Sequence, residues 1–126
     1  MSTYPVTVGE ISPADATLSH IAPVTAANVA LLDNWGTGTT YSVAANSTDL
    51  RGQVTITGGD VPIDANPRWQ LTFSGGVFPT APFAMVVRQD TARMPMNATT
   101  TTQLTVTQGG AIAAFTTHIF DYEVTP

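Results

Sequence analysis

The chain has no cysteine, no lysine, only two histidines, and charged residues at 10% of its 126 positions. Without cysteine there are no disulfides and no thiolate metal sites, and the redox compartment is left open. Without lysine the cations are Arg51, Arg68, Arg88 and Arg93, set against nine acids for a net charge of −5. Phosphate backbones and anionic lipid surfaces would be repelled, which excludes nucleic-acid and membrane partners. No run approaches the ~18 apolar residues that span a bilayer. Met1-Ser2-Thr3-Tyr4-Pro5 lacks the basic start and apolar stretch of a signal peptide. The expectation is a soluble chain made in the cytoplasm and not exported by the usual route.

Catalytic vocabulary is equally thin, and the expectation is a protein that is not an enzyme, with no cofactor and no metal. His118 shares strand parity with Phe120, Tyr122 and Val124, which places its imidazole on an apolar face, hydrogen-bonded within a sheet. His20 has Ser19 beside it but no acid nearby in sequence to build a relay. Gly-x-Ser-x-Gly is absent. Asp60 and Asp64 flank Val61-Pro62-Ile63 at a spacing that oxygen ligands of calcium could use. The loop lacks the dense Asp/Asn/Gly pattern of a calcium motif, so ordinary solvated acids are the expectation. Asp121 and Glu123 face opposite to Tyr122, toward solvent or a subunit contact. Asn46-Ser47-Thr48 and Asn97-Ala98-Thr99 match the glycosylation sequon, which has no meaning without secretion.

What the chain does have is alternation. Gln53-Val54-Thr55-Ile56-Thr57 leads into Gly58-Gly59, Leu71-Thr72-Phe73-Ser74 into Gly75-Gly76, and Leu104-Thr105-Val106-Thr107-Gln108 into Gly109-Gly110. Apolar side chains at every second position are the period of a half-buried strand. The Gly pairs, which accept positive φ, are read as sharp hairpin reversals. Strands are expected at 50–57, 68–74, 83–88, 103–108 and 112–124, with Thr40–Ala44 as a further one. Asn97 to Thr102 reads as a polar connector. The fold class is an all-β antiparallel sandwich. Twenty-two threonines clothe it, β-branched yet hydrophilic and suited to a pleated outer face. So few charges give little self-repulsion and permit close packing against other copies.

The first 48 residues are irregular by comparison. Tyr4-Pro5-Val6-Thr7-Val8 reads as a short edge strand, since Pro5 cannot donate to an interior ladder. Ile11 to Pro23 reads as an extended arm. Thr25 to Leu32 suits either a two-turn helix capped by Thr25 or a buried strand over Val29–Leu32. Trp69 is core by parity with Leu71 and Phe73. Trp35 is either a plug over the end of the fold or a contact residue for another chain. The expected division is an attachment arm over 1–48 and a sandwich over 49–126. Contacts to a partner or to other copies are assigned to Tyr4, Pro5, Val6, Ile11, Leu31, Leu32, Trp35 and Tyr41.

Several segments of the second half fit a known pattern. They are Gly52-Gln53-Val54-Thr55-Ile56-Thr57-Gly58-Gly59, Leu71-Thr72-Phe73, Phe78-Pro79-Thr80-Ala81-Pro82 followed by Met85-Val86-Val87, Thr102-Gln103-Leu104-Thr105-Val106, and Phe120-Asp121-Tyr122-Glu123-Val124. From Leu50 to Val124 the chain resembles a β-sandwich module of tailed-phage virion surface proteins, found at tail-fibre and head-fibre tips and on capsid surfaces. The resemblance implies a jelly-roll-like or immunoglobulin-like sandwich, often a homotrimer, that works by binding. With no heptad stalk in the chain, the expected role is a capsid decoration protein on the outer head surface, bound to the major capsid protein. The alternatives are a tail-fibre or head-fibre tip that binds the host surface, and a carbohydrate-binding β-sandwich module.

Overall fold

A computed structural model describes residues 20–89 and 95–126. The expected edge strand at Tyr4–Val8, most of the arm, and the contact residues Tyr4, Pro5, Val6 and Ile11 lie outside the described residues. The rest is an antiparallel β-sandwich of eight strands: β1 (Val29–Leu31), β2 (Thr40–Val43), β3 (Arg51–Thr57), β4 (Arg68–Thr72), β5 (Phe83–Arg88), β6 (Met96–Thr99), β7 (Gln103–Thr107) and β8 (Thr117–Thr125). One sheet has the order β1-β4-β7-β6 and the other β2-β3-β8-β5. From β4 to β8 this order reproduces strands B to F of the immunoglobulin sandwich, three in the first sheet and two in the second. The place of the immunoglobulin strand G, beside F, is taken by the earlier strand β3. Of the two expected topologies, the immunoglobulin order is the one present over these strands.

Alternation does what the sequence promised. Val54 and Ile56 of β3, Trp69 and Leu71 of β4, Leu104 and Val106 of β7, and Phe120, Tyr122 and Val124 of β8 are all buried between the sheets. Trp69 meets Phe120 edge-on at 5.5 Å between ring centroids. Each such side chain contributes about 1.5–3 kcal/mol by leaving water.

The Gly pairs have a different role from the one expected. The chain leaves β3, β4 and β7 through them and in each case crosses to the other sheet. None joins a hairpin. The two connections that stay within a sheet, β2 to β3 and β6 to β7, contain no Gly pair. Asn46 supplies the left-handed residue of the first at φ 69°, and Thr100 closes the second by accepting from Thr102 N and Gln103 N.

Other corrections follow from tertiary pairing. Thr25 to Leu32 is both helix and strand. Thr25 caps a single 3-10 turn, Ala26–Asn28, through a capping box with Asn28, and β1 begins at the next residue. Met96–Thr99 is an edge strand, not a connector, because β7 offers it a ladder. The last strand starts at Thr117 rather than 112. Before it, Phe115 takes φ 60° and donates to Gly59 O. The boundary expected at residue 48 does not divide the fold, since β1 and β2 belong to the two sheets and Val24, Val29 and Trp35 belong to the core.

Candidate functional site

The outer face of the β2-β3-β8-β5 sheet carries its most varied chemistry. Strand parity decides which side chains reach it. On β8 the even positions 118 to 124 point inward, so Ile119, Asp121 and Glu123 point out. The register then sets Arg51, Glu123 and Met85 in one row across the sheet, and Gln53, Asp121 and Val87 in the next. Asp121 is held from both sides, accepting from Gln53 Nε2 at 2.9 Å and from Gln89 Nε2 at 2.8 Å. Ion pairs among the described residues join His20 to Asp49 and Arg68 to Asp33, and neither involves Arg51. Beside these groups runs an apolar stripe on β5, with Phe83 82% exposed, Met85 60% and Val87 39%. A shallow open depression of about 470 Å³ lies between stripe and charges, with Ser47, Gln53, Asp121 and Met85 among its walls.

A second cluster lies buried at one end of the sandwich. Asp49 is fully buried. It accepts from His20 Nδ1 at 2.5 Å, Ser74 N at 2.6 Å, Ser74 Oγ at 3.2 Å and Gly75 N at 2.8 Å. His20 stacks on Phe78 at 3.7 Å between centroids and meets Phe73 edge-on. Serine, histidine and aspartate are thus brought together from distant positions, but in an order that cannot relay a proton. A nucleophile's relay has the imidazole between hydroxyl and carboxylate; here the carboxylate is in the middle. With His20 and Asp49 shut from solvent, the cluster works as a clamp. It ties the segment entering at His20 to the start of β3 and to the turn after β4.

Tyr122 extends the clamp, donating to Thr48 O at 2.6 Å. Burial, with the nearby Asp49 charge second, raises its phenol above the ordinary value of 10.0. Since the folded value is the higher one, this stability is complete below pH 10 and is lost as pH climbs from there toward the folded value. Urea melts of wild type should therefore weaken steeply above about pH 10, and those of Tyr122→Phe less so. At neutral pH that substitution should cost about 1 kcal/mol through the lost hydrogen bond. Equal alkaline slopes in the two proteins would count against the assignment.

The remaining expectations are placed as follows. His118 is buried on the inward face, as parity indicated. Its Nδ1 lies 2.8 Å from Arg88 Nη2 and its Nε2 2.8 Å from Thr116 Oγ1. Arginine only donates, so Nδ1 is the acceptor and Nε2 carries the proton. Asp60 and Asp64 serve the backbone of their loops, accepting from Val61 N and Asn34 N respectively. Among the described residues no three His, Asp or Glu are grouped to hold a metal ion. Trp35 is 1% exposed and donates to Arg68 O at 2.9 Å. It is the plug, and it leaves the set of contact residues. Leu31 packs against the core. Leu32 and Tyr41 are exposed where β1 and β2 run, at the edge of the sandwich away from β5 and β6.

The β5 stripe was not among the expected contact residues, though its signal was in the sequence. Phe83-Ala84-Met85-Val86-Val87 is apolar on both parities. A strand of that kind reads as covered on both faces, whereas here, among the described residues, only the inner face has a neighbour. Compared with models of protein families, with curated proteins and with solved structures, the chain gives no match in any of the three.

Proposed function

We propose that the chain is a virion structural protein, a capsid decoration subunit that assembles as a homotrimer on the outer surface of a phage head. The reading rests on the resemblance of residues 50–124 to phage surface modules and on the character of the outer faces. The observation that carries it is the low-charge cladding at the Thr40-Thr57-Thr117 end of one sheet and across the outer face of the other. Thr40, Thr57 and Thr117 form one cross-strand row, with Thr57 and Thr117 hydroxyls 3.0 Å apart, and Gln70, Gln103 and Thr105 form a hydrogen-bonded patch on the other sheet. Such faces need little desolvation and carry little self-repulsion, so they pack closely in a dense array.

The test is copy number. Quantitative mass spectrometry of purified particles should find hundreds of copies, and labelled particles should show them over the head by electron microscopy. A few dozen copies at the tail would replace decoration with the fibre-tip role. Absence from particles would end the reading.

A further inference from the structure

We infer that the outer face around β5 is the docking surface for a different protein, one that presents apolar side chains bordered by lysine or arginine. This rests on the virion reading and names the surface and the chemistry it would meet. The stripe of Phe83, Met85 and Val87 is contiguous along one strand and exposed. A large apolar patch with a polar border is the mark of an interaction site, not of ordinary surface scatter. Along its inner border stand two carboxylates, Glu123 beside Met85 and Asp121 beside Val87. The glutamine pair that holds Asp121 fixes its direction at low entropic cost to a binding cation.

Charge decides against a second copy as the occupant. A copy laid face to face about a two-fold axis across the strands sets the carboxylates of one β8 over those of the other. Among the described residues the cations do not compensate. Arg68 holds Asp33, and Arg88 is turned onto His118 and the Phe120 ring. Of the described arginines only Arg51 reaches this face, one guanidinium against two carboxylates, and the chain has no lysine. The complementary surface is basic and apolar, and it belongs to another protein.

Co-sedimentation of the purified full chain with particles that lack it tests the inference. Wild type should bind saturably. Phe83→Ser with Met85→Ser should weaken binding about tenfold or more with an unchanged melting temperature, since both side chains are exposed. Asp121→Asn with Glu123→Gln should weaken it and flatten its salt dependence. Met96→Ser, which removes an exposed apolar side chain from the other sheet, should bind as wild type. If the β5 double variant binds as wild type, the inference falls and the virion reading stands. If wild type itself fails to bind, both fall. A wild type that forms oligomers in solution which the β5 variant cannot would assign the stripe to a second copy and overturn the proposal.

Discussion

Asp49→Ala is expected to destabilise the fold by about 3–5 kcal/mol, because three donors lose their acceptor at about 1–3 kcal/mol each. The carboxylate is the hub on which the segment at His20, the start of β3 and the turn at Ser74-Gly75 converge. Alanine leaves the part-buried Ser74 and Gly75 N–H groups and the buried His20 ring nitrogen without their acceptor. Against a total of roughly 5–15 kcal/mol for a domain of this size, that is a large share. The melting temperature should drop by about 10–20 °C in calorimetry. Asp49→Asn should fall between, because the amide keeps one acceptor oxygen but turns an NH2 toward existing donors. A drop of only a degree or two for Asp49→Ala would remove the clamp from this account.

The second large effect is Gly59→Ala. A Cβ at Gly59 would overlap the Thr37 carbonyl oxygen and lie 3.0 Å from the Gly36 carbonyl carbon. These are backbone atoms of a facing segment, so no side chain can swing aside. Gly59 donates to Trp35 O at 3.0 Å, and Thr37 and Asp60 exchange hydrogen bonds of 2.8 and 2.9 Å. Separating the segments breaks these bonds and lifts Trp35, whose ring meets Phe120 edge-on at the core. Overpacking costs about 1–3 kcal/mol and each lost hydrogen bond about 1 kcal/mol, so a loss of 3 kcal/mol or more is expected from denaturant melts. Gly38 is the comparison, with open space around its Cβ position and φ +82°. Gly38→Ala should cost about 1–2 kcal/mol, from backbone strain alone. Equal losses at the two sites would refute the close-approach explanation for Gly59.

Gly59 also shows where a reading of the chain stops. The Gly pairs are visible as punctuation, and each does end a strand. What they permit differs. Gly76 and Gly109 adopt left-handed backbone at φ 98° and 87°, while Gly58-Gly59 makes room for a segment more than twenty residues earlier. Local sequence states that a Cβ is missing, not which strand presses on the gap. The same holds for His20. Its acid lies at position 49, a separation no spacing rule anticipates, and the meeting exists because two loops close one end of the sandwich.

Strand positions on β3, β4, β7 and β8 were legible from alternation and β5 from a continuous apolar run, as were the inward faces of Trp69 and His118, because parity depends only on local backbone geometry. So were the poverty of charge and its sign. Strand β6 was not, since Met96-Asn97-Ala98-Thr99 has no strand pattern of its own and is a strand only because β7 lies beside it. Nor was the isolation of the β5 stripe. The sequence by itself determined an apolar-cored, Thr-clad β-chain and the parity of most of its side chains. Only the tertiary structure decided which strands neighbour which, that Asp49 clamps the end, and that Phe83, Met85 and Val87 face outward beside two carboxylates. Alternation encodes a side of a sheet, whereas adjacency is set by long-range pairing that no short window of residues contains.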